Sequence, residues 1–386
     1  MRETADKLKS VWLSVICKAW ISLTISRELF IREEPLYCAE LRPLKSLDPM
    51  KLREFAKQLG LSATTVSRAL SGYPEVAEST RRRVIQEAFR LGYQPNINAV
   101  RLVTGRAGAI GVVMGRNSEF HFAEFMRGMA ERLCLDEVDI LVSPIANNGS
   151  DDEVELCRRL ATSRRVDAII VTSPKPNDPR IRILHELGMP FVVHGRSDID
   201  IPHPWLDIDN EFAVYRSTAH LIDLGHRQIA MINGRSGFTF SLHRDEGYRR
   251  ALEEKHIPFD PELVAHGDFT DDIGYKHAHK LLSRAIRPTA FVAGSMMTAL
   301  GIYRAARAFG LTIGKDLSVI AHDDVISFLS AENMVPSLTA TRSSMRLAGK
   351  RCASMLMDIL DKKAADTCCE LWTPELILRD STTRAP

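Results

Sequence analysis

Residues 51–72 read Lys51-Leu-Arg-Glu-Phe-Ala-Lys-Gln-Leu-Gly-Leu-Ser-Ala-Thr-Thr-Val-Ser-Arg-Ala-Leu-Ser-Gly72. Leu52, Phe55, Ala56 and Leu59 stand at i, i+3, i+4 and i+7, the spacing of one face of a helix. Gly60 follows, where a positive φ costs glycine nothing, so the helix is expected to stop there. Ser62 stands at an N-cap position, its hydroxyl able to accept from a first-turn amide. Ala63–Leu70 then predicts a second short helix with Val66, Ala69 and Leu70 on its apolar side. Ser71-Gly-Tyr-Pro74 is a turn cluster. Thr80 to Leu91 predicts a third helix, with Val84, Ile85, Ala88 and Phe89 turned inward and Gly92 closing it.

Helix, glycine turn, helix and supporting helix is the helix-turn-helix plan, in which the second helix enters the major groove. The outward face of that helix carries Thr64, Thr65, Ser67 and Arg68. Short hydroxyls and one Arg suit base edges and phosphates. The plain alternative is a three-helix bundle with a polar surface. Charge favours the first reading. Residues 51–106 hold ten Lys/Arg against four Asp/Glu, a net of +6, while the whole chain of 386 residues carries only +2. A small basic segment on a larger acidic body points to a nucleic-acid reader joined to something else.

This stretch resembles the DNA-binding headpiece of the lactose-repressor/galactose-repressor (LacI/GalR) family. The carrying residues are Thr65-Val-Ser-Arg-Ala-Leu70, Val76-Ala-Glu-Ser-Thr-Arg81 and Leu91-Gly-Tyr-Gln-Pro-Asn96. The resemblance implies that Ala63 and Thr64 choose the operator sequence, and that Ser62, Thr65, Ser67 and Arg68 also contact DNA. It implies that residues 97–107 form a hinge helix that enters the minor groove with its dimer mate. There Leu102 would wedge open a base step, with Asn96, Ala99 and Arg101 beside it; such a wedge unstacks the step and bends the duplex. The family usually shows Ala-Arg-Ser-Leu here, whereas this chain has Ala99-Val-Arg-Leu102, its Arg displaced by one.

Beyond residue 108, apolar runs alternate with helical patterns. Ala109–Met114, Asp139–Ser143, Ala168–Thr172, Phe191–His194, Gln228–Asn233, Ala290–Ala293 and Ser318–Ala321 predict strands. Phe122–Leu135, Glu153–Thr162, Glu211–Leu224, Arg244–Lys255, Ile273–Leu282, Met297–Ala308 and Met345–Leu360 predict helices. Such alternation means parallel sheets with right-handed crossovers. There are too many strands for one five-stranded sheet, so two α/β lobes with a cleft are expected, ligand sitting at the strands' carboxyl ends. Leu206-Asp-Ile-Asp-Asn210, His220 to Ala230, Asn233-Gly234, Arg244, Gly247-Tyr248, Leu317 to Asp324 and Pro336-Ser-Leu-Thr339 resemble the family's effector domain. That domain is itself periplasmic-binding-protein-like.

The expected organisation is thus four segments. Residues 1–49 are an extension upstream of Met50, which is a candidate natural start; 50–96 are the headpiece. Residues 97–107 are the hinge, and 108–386 the two-lobed effector and dimerisation domain. The resemblance implies effector contacts from His121, Phe122, Arg244, Phe269, Asp323 and Met345. Two departures alter the pocket. Gly294-Ser295 replaces the usual Asn-Asp after the strand ending at Ala293, and Gly195-Arg196 replaces the usual Asp near Val193. Losing acids and gaining Arg196 would shift the pocket toward positive charge and admit an acidic sugar. The competing reading has Arg196 paired with Asp198 or Asp207. Ser295 is kept among the candidate contacts.

No G-x-S-x-G, H-E-x-x-H or P-loop motif is present, so no enzyme activity is expected. His220 with His226, and Asp323 with Asp324, read as structural. The seven cysteines, Cys17, Cys38, Cys134, Cys157, Cys352, Cys368 and Cys369, make no C-x-x-C pair; reduced thiols, no metal and no cofactor are expected. Apolar runs near the N-terminus are too short to span a bilayer. The expectation is a cytoplasmic homodimeric regulator, a repressor as is commoner in the family, binding double-stranded operator DNA and a small carbohydrate-type effector. A nucleoside effector, a secreted solute-binding protein and a sugar-processing enzyme are the rivals.

Overall fold

The computed structural model describes residues 50–70, 73–93, 105–114, 120–144, 150–323, 325–363 and 368–386. Contacts divide the chain into two compact units, residues 1–96 and 97–386. The expectations for residues 1–49, and for Asn96, Ala99, Arg101 and Leu102, lie outside the described residues.

In the first unit, α1 (Leu52–Leu59), α2 (Ala63–Leu70) and α3 (Glu78–Leu91) enclose a core of Phe55, Ala56, Leu59, Val66, Ala69, Val84, Ala88 and Tyr93. Phe55 stacks on Tyr93 with ring centroids 4.2 Å apart. Gly60 adopts φ 66° and ends α1. The Ser62 hydroxyl accepts from the Thr65 amide at 3.0 Å, so the cap read from the sequence forms. Helix α3 begins at Glu78, two residues ahead of the expected Thr80, with an acidic side chain in its first turn where the helix dipole favours it. Ile85 and Phe89 do not turn inward: they are 50% and 91% exposed. Val84 and Ala88 occupy the stripe that faces α1 and α2, and three short helices cover no second stripe.

The second unit holds two six-stranded sheets among the described residues. The first runs β11-β5-β4-β3-β1-β2, from β1 (Ala109–Met114), β2 (Asp139–Pro144), β3 (Ala168–Thr172), β4 (Phe191–His194), β5 (Trp205–Ile208) and β11 (Cys369–Trp372). The second runs β12-β10-β9-β8-β6-β7, from β6 (Ile229–Asn233), β7 (Val264–His266), β8 (Ala290–Ala293), β9 (Ser318–Asp323), β10 (Thr339–Arg342) and β12 (Glu375–Ile377). Leaving out the sixth strand, both sheets repeat one doubly wound order, with the direction of winding reversing between β1 and β3 and between β6 and β8. Their pairings are parallel except β10 with β12, which is antiparallel. The chain passes between the sheets at residues 208–210, 342–345 and 372–375, which makes two lobes.

Strands β5, β7, β10, β11 and β12 were not among the expected ones. They are three or four residues long and lack the run of three apolar residues that marks β4 and β8, which are equally short. Helices of the first lobe are α4 (Phe120–Leu133), α5 (Ser150–Thr162), α6 (Pro179–Glu186) and α11 (Met345–Leu360). Those of the second are α7 (Asn210–Asp223), α8 (Thr239–Glu254), α9 (Asp271–Leu282) and α10 (Met296–Ala308). Unexpected α6 starts from an Asp178 cap followed by Pro179, a pairing that sets up a helix start. Helix α8 starts five residues earlier than Arg244.

Helices meet in pairs at glycines. A Cβ on Gly128 would strike the Arg346 carbonyl, and one on Gly349 the Phe125 carbonyl, where α4 crosses α11. Gly247 against Glu211 does the same for α8 and α7, and Gly274 with Gly301 for α9 and α10. At the start of this unit the Asp167 carboxylate accepts from the Ala107 and Gly108 amides at 2.6 and 2.7 Å. His226, fully buried, lies 2.8 Å from Thr289 Oγ1 and 3.0 Å from both Ser318 Oγ and the Thr383 carbonyl, tying the C-terminal segment to the second lobe. It is structural, as expected.

Candidate functional sites

The first site is the outer face of α2. Thr64 and Arg68 are exposed; Ala63, Thr65 and Ser67 are half-buried. Ser62, Thr64, Thr65 and Arg68 converge with Glu75, Val76, Ala77 and Thr80 around a recess of about 280 Å³. The start of α3 thus contributes to the same face. Ala77 and Thr80 lie within the Val76 to Arg81 motif but were not singled out. Ala63 and Ser67 stand beside the recess without lining it. The face is held rigid from behind: Arg83 Nη2 donates to the Leu59 carbonyl at 2.9 Å, and Arg81 Nη2 to the Tyr73 carbonyl at 2.7 Å. The local chemistry is hydroxyls, one exposed guanidinium and the amino ends of α2 and α3, a set suited to base edges and phosphates.

The second site is a cavity of about 460 Å³ between the lobes. Its walls are the carboxyl ends of strands from both sheets, at the winding reversals where doubly wound sheets take ligands. Of the expected effector contacts, His121, Phe122, Arg244, Phe269 and Met345 line it. His121 and Phe122 come from the first turn of α4, and Met345 from the first residue of α11.

The wall from the second lobe is aromatic. Phe269 lies 5.9 Å from Phe240 and 5.7 Å from the ring of His121 across the cleft, centroid to centroid. Arg244 sits against both phenyl rings, 5.4 Å from Phe240 and 5.5 Å from Phe269. It is 5% exposed, donating from Nε to Asn210 Oδ1 at 2.8 Å and from Nη1 to the Gly294 carbonyl at 2.7 Å. A Cβ on Gly294 would come within 2.5 Å of Phe269 Cε1, and one on Gly234 within 2.9 Å of Cζ. The two glycines therefore seat the ring.

The wall from the first lobe is charged and paired. Asp178, fully buried, accepts from Arg180 Nη2 at 2.7 Å. Burial works against its carboxylate, yet the Arg180 and Lys175 bonds hold it below the ordinary range. Lys175 Nζ donates to Glu153 at 3.3 Å. Behind them burial pushes the Cys157 thiol up to about 12, so that sulfur stays protonated. Asp207 is buried, and burial pushes its carboxyl upward against the opposing Arg196 bond. On the opposite side Arg235 Nη2 donates to Asp268 at 2.9 Å.

Three expected contacts take other places. Arg196 does not line the cavity: its Nε donates to Asp207 Oδ2 at 2.8 Å, its guanidinium lies over Trp205, and Nη2 is 3.5 Å from His243 of the other lobe. A buried carboxylate one strand away captures the cation. Ser295 caps α10, its hydroxyl accepting from the Thr298 amide at 3.2 Å. Asp323 turns the chain after β9, accepting from the Val325 amide at 2.8 Å. Its neighbour His322 is the cavity residue, 3.0 Å from Thr341 Oγ1 and 2.9 Å from Ser343 Oγ. Alternation along β9 decides which of the two faces the cleft. Asp207, Asn210, Arg235, Asp268 and Phe240 also line the cavity and were not among the expected contacts. Asp207 and Asn210 lie inside a quoted motif, and Arg235 directly follows Asn233-Gly234, so position after a strand was the available signal.

Among the described residues, no group of His, Cys, Asp and Glu is placed to hold a metal ion. No helix among them is long and apolar enough to cross a membrane.

Residues 51–96 match the model of the bacterial regulatory proteins, lacI family, and residues 218–382 that of a periplasmic binding protein-like domain. The chain is 46% identical over 344 residues to the HTH-type transcriptional regulator AglR of Rhizobium meliloti (strain 1021), spanning 88% of this chain and 96% of that protein. It is 34% identical to the HTH-type transcriptional regulator RafR of Escherichia coli over 87% of this chain and 99% of that one. Among solved structures, a transcriptional regulator CelR–cellobiose complex matches with a TM-score of 0.64 at 28% identity, over 86% of this chain and 100% of that chain.

Proposed function

The chain belongs to the lacI family of bacterial regulatory proteins and is a DNA-binding transcriptional regulator, and from that premise we propose a cytoplasmic repressor whose operator affinity is set by a small carbohydrate in the interlobe cavity. The observation that carries the effector reading is the cavity itself. Aromatic faces from Phe240 and Phe269 stand opposite polar groups of the other lobe, and a sugar ring needs both, an apolar face to stack and donors and acceptors for its hydroxyls. Similarity to a regulator solved with cellobiose supports the same class.

In this reading the protein acts as a homodimer, two α2 helices reading two halves of a pseudo-palindromic operator. Ser62, Ala63, Thr64, Thr65, Ser67 and Arg68 contact the DNA, with Asn96, Ala99, Arg101 and Leu102 assigned to the hinge. His121, Phe122, Arg244, Phe269 and Met345 hold the effector. Sugar binding changes how the lobes close; DNA and effector affinities are then coupled by about 1–3 kcal/mol, equally in both directions. The cavity serves binding and not turnover, so a bound sugar is recovered unchanged.

The test is a thermal-shift panel of sugars and nucleosides, followed by operator binding with and without the hit. A ligand at one hundred times its Kd adds about 2.7 kcal/mol to the unit that binds it. A sugar hit that changes operator affinity is the expected result. A nucleoside hit alone would replace the effector class while leaving the regulator.

A further inference from the structure

We infer that the turn between α5 and β3 is a second DNA-binding surface, one that grips phosphates without reading bases. Arg159, Arg164 and Arg165 form it, with Arg158 beside them. Residues 158–165 read Arg-Arg-Leu-Ala-Thr-Ser-Arg-Arg, with no acid among them. They stand on a body that is otherwise acidic, since residues 107–386 hold 33 Lys/Arg against 38 Asp/Glu. All four arginines are exposed. A cluster of one sign on a body of the other is the electrostatic footprint of a polyanion site.

The protein does not neutralise this cluster. Elsewhere in the unit Arg132, Arg250, Arg304, Arg346 and Arg351 each face a carboxylate. Here Arg158 meets Glu155 at 3.5 Å, an exposed pair of little strength. Arg159 lies in the last turn of α5, where the helix dipole favours a cation. Arg164 and Arg165 lie beyond the helix, so the dipole does not account for them. Among the described residues no carboxylate pairs with Arg159, Arg164 or Arg165. The turn is also held in shape. The Thr162 and Ser163 hydroxyls donate to the Arg158 and Leu160 carbonyls at 2.9 and 3.2 Å. Val166 is buried, and the Asp167 amide donates to the Ala109 carbonyl at 2.8 Å. Charges carried on an ordered backbone lose less freedom when they bind.

Position names the partner. The turn lies at the amino ends of the strands, the opposite end from the cavity. Asp167, two residues after Arg165, holds the Ala107 and Gly108 amides, where the chain enters this unit from the linker. Ten residues, 97–106, separate that point from the end of the headpiece unit, and ten residues extend to at most about 35 Å. The linker thus caps the distance between this turn and any duplex the headpiece holds. Along such a length a duplex presents about twenty phosphates. On the β2 side of the same edge stand the acids Asp136, Glu137 and Asp139, which confines the grip to the β3 side.

The test is fluorescence anisotropy of the full-length protein on a mixed-sequence duplex of about forty base pairs, between about 50 and 200 mM salt. Replacing Arg159, Arg164 and Arg165 together with Gln should weaken binding at least tenfold at the lowest salt. The slope of log affinity against log salt should fall by about 0.9 for each phosphate released, about 2.7 per chain for the three. The same three positions changed to Lys should keep the slope, since a phosphate grip needs charge and not a base-reading fork. Arg216→Gln, Lys280→Gln and Arg307→Gln together remove equal charge from exposed positions on the second lobe and should leave affinity within twofold. An unchanged slope in the first variant overturns the inference. So does an equal loss in the second-lobe variant, which would make the effect one of net charge, or a lost slope in the Lys variant.

Discussion

The two sites are built in opposite ways. The proposed DNA-reading face comes from one helix and the start of the next, all within residues 62–80. The interlobe cavity gathers side chains from Val113 to Met345, carried on strands and helices of both lobes. A site of the first kind stands or falls with a small local core. A site of the second kind depends on how two sheets and their glycine-crossed helices are placed. Damage to one should therefore leave the other's ligand binding intact, and each expected outcome below probes that separation.

The largest effect is expected from Phe55→Ala. Phe55 is fully buried and stacked on Tyr93, and deleting such a ring costs about 3–5 kcal/mol. In a core this small that abolishes operator binding, measured by fluorescence anisotropy, while sugar-induced thermal stabilisation persists. Loss of both would end the idea of separable sites. Arg244→Ala is the converse. It removes a guanidinium that is bonded to Asn210 and Gly294 and packed on two aromatic faces, and the lost charged hydrogen bond to the effector should cost about 1.5–3 kcal/mol of affinity. The protein should still bind operator but no longer respond to sugar.

Arg68→Ala follows, at about 1–3 kcal/mol of operator affinity, with the salt dependence of binding showing whether a base or a phosphate was lost. An unchanged operator Kd would remove Arg68 from the reading face. Ser62→Ala removes the α2 cap and should lower headpiece stability by about 1 kcal/mol in urea, with no change in effector affinity.

The smallest effect is on pH dependence. Burial holds His220 and His226 below the ordinary histidine value of 6.5. The unfolded chain then binds protons that the folded one refuses. Their contribution is fully present above about pH 6.5 and is lost as pH falls toward the lowered folded values. Residues 51–96 contain no histidine. Unfolding of the larger unit should weaken from about pH 7 to pH 5, while the headpiece unit shows no histidine-linked change. Replacing His226 with Gln should flatten the first profile; a profile that keeps its slope would place the titrating groups elsewhere.

These contrasts match what could be read from the residues. Helix α2 and its cap are legible because the Ser62 hydroxyl bonds an amide three residues away and Val66 and Ala69 repeat at helical spacing. The seven expected strands lie in the sheets because buried parallel strands are continuous apolar runs. The short strands β5, β10 and β11 are not legible: Trp205–Ile208 and Cys369–Trp372 pair across 160 residues of chain. In the cavity, Arg244 and Phe269 were reached through resemblance and line it; Asp323, reached the same way, does not, and neither do Arg196 and Ser295, which stand where the chain departs from the family. The competing reading, Arg196 paired with Asp207, is the one the structure shows; nothing local chose Asp207 over Asp198. Nothing local to Asp323 shows that His322 is the residue turned to the cleft.

The amino-acid sequence by itself determined the three headpiece helices, the polar face of α2 and the alternation that makes two α/β lobes. Each rests on interactions within a few residues: caps, glycine turns, the 3.6-residue period and continuous apolar runs. The tertiary structure alone decided which apolar stripes are covered, leaving Phe89 exposed, and which charges are paired before any ligand arrives. Periodicity says which residues share a face. Only packing says what that face meets.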